Sequence, residues 1–238
     1  MKTILSRFLL VMPLLLAACA APTPPPAAVT VPAASESAVP AETPAASETA
    51  PPAADWKGYY NDTFGLAFQY PAGWFGPEEY MADGTLRVEV GSDRVYPYGT
   101  DPTERVYETR NSYSVVLQYT QNDANRGGQE TLQSLQNLPD GEALADGRSL
   151  IIRVRALELG RWQGVEAIST LSESAQTEPV YARQVLLTDG QGGLLSVFGT
   201  PNNVELGSGA DWREVYRAID EANAEIFQQL VGSITIAE

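Results

Sequence analysis

Apolar and polar residues alternate one by one through several separate stretches of this chain, and no other feature limits its fold as much. In FGLAFQY (64–70), Phe64, Leu66, Phe68 and Tyr70 alternate with Gly65, Ala67 and Gln69. TLRVEV (85–90) sets Leu86, Val88 and Val90 against Arg87 and Glu89, and SYSVVLQYT (112–120) lines up Tyr113, Val115, Leu117 and Tyr119. Successive side chains of a strand point to opposite faces, so each stretch reads as a strand with one buried face. LIIRVRALEL (150–159) and VEAISTL (165–171) flank GRWQG, while VYARQVLLT (180–188) and LLSVFGT (194–200) flank DGQGG (189–193). Short connectors bearing Gly, which enters positive φ freely, join neighbouring strands as antiparallel hairpins.

Two segments carry a helical period instead. QETLQSLQNL (129–138) spaces Leu132, Leu135 and Leu138 three apart. In DWREVYRAIDEANAEIFQQLVG (211–232), Trp212, Val215, Tyr216, Ile219, Ala222, Ile226, Phe227 and Leu230 fall on one face. Asp211 can cap this helix, Gly232 can end it, and a brief strand, SITI, follows. Strands with a few interspersed helices imply an α+β domain, a central antiparallel sheet with helices packed against it. Tyr70-Pro71-Ala72-Gly73 fits a type I turn that sends Trp74 back to the layer covered by the first strand.

The domain is expected to occupy residues 55–238, a length able to bury roughly 70% of its unfolded surface. Residues 20–54 are different: 9 are Pro and 13 are Ala, with almost nothing bulky to bury. Such a tract cannot offset the entropy of ordering and reads as a disordered tether. Ahead of it, Lys2 and Arg7 precede the apolar run Phe8–Leu16, and small residues lead to Cys19. That is the layout of a secretory signal peptide over 1–18, and the apolar run is too short to span a bilayer. Leu16-Ala17-Ala18-Cys19 resembles the lipobox of bacterial lipoproteins, which implies that Cys19, the single cysteine, becomes the acylated first residue. The chain would then sit in the cell envelope, anchored by lipid on the outer side of the cytoplasmic membrane or on the outer membrane. The tether would hold the domain clear of the membrane's surface charge.

YNDTFGLAFQYPAGW (60–74) resembles the opening of PsbP-like domains, with their Gly-aromatic strand and Tyr-Pro-x-x-Trp turn. EIFQQLVGSITI (225–236) is similar to their ending, and GRWQGVEAISTL (160–171) and the DGQGG hairpin keep the family's order. The resemblance covers most of 56–238 and implies the Mog/PsbP-like fold, an α/β/α sandwich around a central antiparallel sheet. Residues 91–111 depart from the pattern and look like an inserted loop. The family includes photosystem II extrinsic subunits and bacterial lipoproteins. It transfers no functional residue here, because fold carries function poorly.

With no His and Cys19 committed to lipid, Ser-His-Asp and Cys-His catalysis are excluded, as are Zn and Cu sites of the usual ligand types. No phosphate-binding Gly motif is present, so no cofactor is implied. A formal charge of −15, with 30 acidic against 15 basic residues, argues against nucleic acid as a partner. Carboxylate pairs remain: Glu78 with Glu79, and Asp140, Glu142 and Asp146. NDANRGG has Asp123, Asn125 and Gly127 at offsets loosely like a Ca²⁺ loop, without its Glu at the twelfth position. Solvated acidic loops account for both. Trp56, Tyr59, Tyr60, Tyr70, Trp74 and Phe75 could make a binding face, but core packing explains their pattern. Trp162 is harder to place in a core; it and Arg161 are the contact candidates.

These readings converge on a lipid-anchored, non-catalytic accessory module that binds an envelope partner or a small ligand. Two alternatives stay open: a carboxylate-based hydrolase of extracellular glycan or peptide, and a purely structural envelope protein. A hydrolase requires two carboxylates converging within about 5–10 Å, one of them desolvated.

Overall fold

The computed structural model describes residues 55–146, 149–173 and 176–237; the expected signal peptide, the proposed lipidation at Cys19 and the expected tether fall outside the described residues. The chain runs β1 (Trp56–Asn61), β2 (Leu66–Pro71), β3 (Phe75–Ala82), β4 (Thr85–Gly91), β5 (Ser112–Thr120), α1 (Arg126–Gln136) and β6 (Ala143–Asp146). It continues with β7 (Ser149–Leu159), β8 (Trp162–Glu173), β9 (Gln176–Thr188), β10 (Leu194–Asn202), α2 (Trp212–Gly232) and β11 (Thr235–Ile236). Two antiparallel sheets result, one in the order β1-β2-β11 and one in the order β3-β4-β5-β10-β9-β8-β7-β6.

The alternating stretches form strands as expected, and their odd-even parity decides what each sheet face meets. Leu86, Val88 and Val90 of β4, Tyr113, Val115, Leu117 and Tyr119 of β5, and Leu195 and Val197 of β10 share one core with Leu66, Phe68 and Tyr70 of β2. Phe227, Leu230 and Val231 of α2 complete it. On the opposite face, Leu132 and Leu135 of α1 cover Val165, Ala167, Leu186 and Leu194. The expected α/β/α sandwich is therefore only partly met. One outer layer is a small sheet and α2 side by side, and among the described residues α1, 11 residues long, is the helix on the other face. Sheet dominates because eleven strands stand against two α-helices among the described residues.

Several local expectations shift by a few residues for identifiable reasons. α1 starts at Arg126, ahead of the expected Gln129, because the Asn125 side chain accepts from the N–H of Gly128 and caps it early. A Cβ at Gly128 would come within 2.5 Å of Leu194, so the helix lies this close to the sheet only with Gly there. The turn after β2 closes one residue late, with the Trp74 N–H donating to the Pro71 carbonyl, and Trp74 is buried as expected. The alternation did not reveal β3, where Pro77 and two glutamates interrupt it. Its marker is Asp83-Gly84: both residues take positive φ, +48° and +73°, as a two-residue type I′ hairpin requires between Ala82 and Thr85.

Residues 92–111 form an irregular but heavily bonded segment with one 3-10 turn at Pro102–Glu104. Asp93, 2% exposed, accepts from the N–H groups of Arg94, Glu108 and Thr109 and so pins both ends of the segment together. Tyr98 lies on Tyr80 of β3, with the Arg87 guanidinium 5.1 Å from its ring centre.

Candidate functional site

Arg161 and Trp162 stand at the join of β7 and β8, and the connection there is tighter than GRWQG suggests. Leu159 pairs with Trp162, leaving Gly160 and Arg161 as a two-residue loop. Gly160 has φ +60° and Arg161 does not share a positive φ, the pattern of a type II′ turn. Trp162 thus begins β8 instead of standing in a loop, and its parity turns it inward. It is 3% exposed and sits in the main core, with its ring edge-to-face on Tyr119 at 5.4 Å. The difficulty of placing Trp162 in a core disappears once the loop shortens. Gly193 makes room for it, since a Cβ there would lie 2.9 Å from the indole. The indole Nε1 is buried and has no hydrogen-bond partner, although buried Trp N–H groups usually find one.

These two residues border a cavity of about 290 Å³ between the β7–β8 hairpin tip and β11. β11 pairs with β2 through Thr235–Ala67 and Ile236–Leu66, which places Ile234 and Ile236 across from the large sheet. Leu159, Leu187, Leu195, Ile234, Ile236 and Trp162 supply apolar wall. Arg161 is the charged residue among those lining it; it is exposed and makes no ion pair among the described residues. A second hollow, about 280 Å³, lies on the opposite sheet face beside α1 and is lined by neutral groups such as Gln118, Gln184, Ser169 and Ser196.

The carboxylates are arranged differently from the acidic groups that the sequence brings forward. Asp140 is exposed and pairs with Arg153 at 3.0 Å, and Glu142 is exposed. The side chain of Asp146 lies outside the described residues. Glu79 accepts from the Tyr59 hydroxyl and from Asn61, so it joins β3 to β1. Burial first, then this glutamate, raises the Tyr59 phenol well above its ordinary value. Asn125 serves as the α1 cap. Among the described residues, no group of three or more acidic side chains is placed to hold a metal.

Among the described residues the buried carboxylates are Asp93, Glu166 and Asp220. Glu166 accepts from Arg155 Nε at 2.7 Å and from Gln228 of α2. Asp220 of α2 takes a two-pronged contact from Arg183 of β9, 2.8 Å from Nε and 2.7 Å from Nη2. Burial alone would lower the Arg183 pKa, but the Asp220 carboxylate outweighs it and the net shift is upward. Tyr113 lies in the same region. Burial and then the Asp220 charge raise its phenol, and its hydroxyl has no partner. The sequence reading missed this cluster. Its signal is Arg183, which shares strand parity with Val185 and Leu187 and so must face inward, where a charge needs a partner.

No family model matches the chain, and no curated protein matches it. Among solved structures, the solution structure of cyanobacterial PsbP (CyanoP) from Synechocystis sp. PCC 6803 is similar at 16% identity and a TM-score of 0.38. The match covers 82% of this chain and 100% of that one.

Proposed function

We propose that the chain is a PsbP-like lipoprotein, anchored through Cys19 outside the cytoplasmic membrane, whose domain binds a small ligand without transforming it. The cavity beside Trp162 carries this reading. Ligand sites are typically concave and largely apolar with a few polar groups at chosen points, and this cavity lies near the lower end of their usual size. A non-catalytic role is supported by the state of the carboxylates. Among the described residues, each buried one is already bonded to an Arg or to backbone N–H groups, so none of these is poised as a general acid.

Mass spectrometry of small molecules that copurify with the full chain from native envelopes tests the binding. A compound should accompany the wild-type protein and be lost from Ile236→Trp, which fills the cavity. Identical profiles from the two folded proteins would contradict the reading. The anchor is tested separately: Cys19→Ser should move the protein to the soluble fraction, and retention in the membrane would refute lipidation.

A further inference from the structure

We infer that the cavity beside Trp162 selects an amphipathic monoanion, a small carboxylate with an apolar body. This rests on the small-ligand reading above and names its chemistry. Acidic residues outnumber basic ones 30 to 15 in this chain, so an arbitrary patch of its surface is negative. The cavity lining inverts that balance. It holds no Asp or Glu, and its charged residue is Arg161, placed at the exposed end of apolar walls made by Leu159, Leu187, Leu195 and Ile236.

The guanidinium makes no ion pair among the described residues, so its planar donor fork is available to a carboxylate. Trp162 contributes to the same wall through its ring, while its indole N–H is buried away from the open space. Burying an amine in this lining would set a like charge beside Arg161. A neutral alcohol would use the apolar walls and leave the guanidinium unanswered. The overall negative field disfavours a doubly charged phosphate head, which leaves a single carboxylate as the best match.

Isothermal titration of the full chain with octanoate, octanol, octylamine and octyl phosphate, each below its aggregation concentration, distinguishes these classes. Octanoate should bind about tenfold more tightly than octanol, the scale of one charge-assisted hydrogen bond. Octyl phosphate should bind more weakly than octanoate, and octylamine should not bind. Arg161→Gln, a change at an exposed turn position, should erase the advantage of octanoate and leave octanol unchanged. Octanol binding as tightly as octanoate, or an Arg161→Gln variant that keeps the preference, would overturn the anion assignment while leaving a small-ligand site. Octyl phosphate binding more tightly than octanoate would overturn the carboxylate choice. Failure of every probe, octanol included, would overturn both this inference and the reading beneath it.

Discussion

Replacing Arg183 with Met should destabilise the domain severely, because it strands a charge in the core. Asp220 is 2% exposed, and both its oxygens are held by Arg183 at 2.7–2.8 Å. Met keeps most of the apolar stem, so the loss isolates the charge and not the packing. Removing one partner of such a buried pair costs about 3–5 kcal/mol. For a domain of this size, roughly 2–4 °C per kcal/mol gives a fall in Tm of about 6–20 °C. Urea unfolding followed by fluorescence measures the free energy, and a calorimetric scan measures Tm. Arg183→Met combined with Asp220→Leu removes both charges and should recover most of the loss, since apolar replacements of buried pairs are often neutral. A loss below about 1 kcal/mol in the single variant would refute the reasoning, as would a double variant no better than the single. Either result would mean that the Arg183–Asp220 pair does little to hold α2 on the sheet.

Other predictions follow from neighbouring features. The Tyr113 phenol is raised above its ordinary value of 10.0, so the unfolded chain gives up this proton before the folded one does. Its contribution is therefore complete below about pH 10 and is lost as pH climbs toward the folded pKa, at about 1.4 kcal/mol per pH unit. Tyr113→Phe should flatten that alkaline decline in urea unfolding and be neutral or mildly stabilising at pH 7, because the buried hydroxyl has no partner; an unchanged slope would contradict the burial. Gly164→Ala would bring a Cβ to 1.8 Å from the Leu186 carbonyl oxygen across the β8–β9 ladder. The backbone would have to shift, so stability should fall by about 2 kcal/mol or more, against a few tenths for the same change at Gly73, where nothing lies within 4 Å.

Much of the fold is legible from parity alone, as β5 illustrates: Tyr113, Val115, Leu117 and Tyr119 alternate and share the main core, and the DGQGG connector announces the β9–β10 hairpin. The misses share a cause. β3 breaks its own alternation at Pro77 and Glu78-Glu79, and only the Asp83-Gly84 turn betrays it. The layer arrangement is a tertiary outcome, since no local pattern says that β1, β2 and β11 will lie beside α2 on one sheet face. Trp162 shows how a three-residue error in loop length changes a residue's meaning, from exposed contact to core wall beside a cavity. The cavity itself depends on β11 meeting the β7–β8 tip from more than 70 positions away in sequence, which no spacing rule encodes. Arg161 is legible only as the neighbour of Trp162 in the GRWQG connector, and its bearing on the cavity comes from the fold. Asp220 was not, because it sits one residue from Ile219 on a helix where charge is ordinarily solvated.

The most direct test of an anchored small-ligand binder is photo-crosslinking at the cavity in intact envelopes. A benzophenone side chain in place of Thr235, which lines the cavity from the exposed side of β11, reports whatever occupies it. Irradiation followed by peptide mass spectrometry should find an adduct of small-molecule mass on protein recovered in the membrane fraction, absent when the benzophenone replaces exposed Leu206. Crosslinks to another protein alone, or adducts identical at the two positions, would contradict the account.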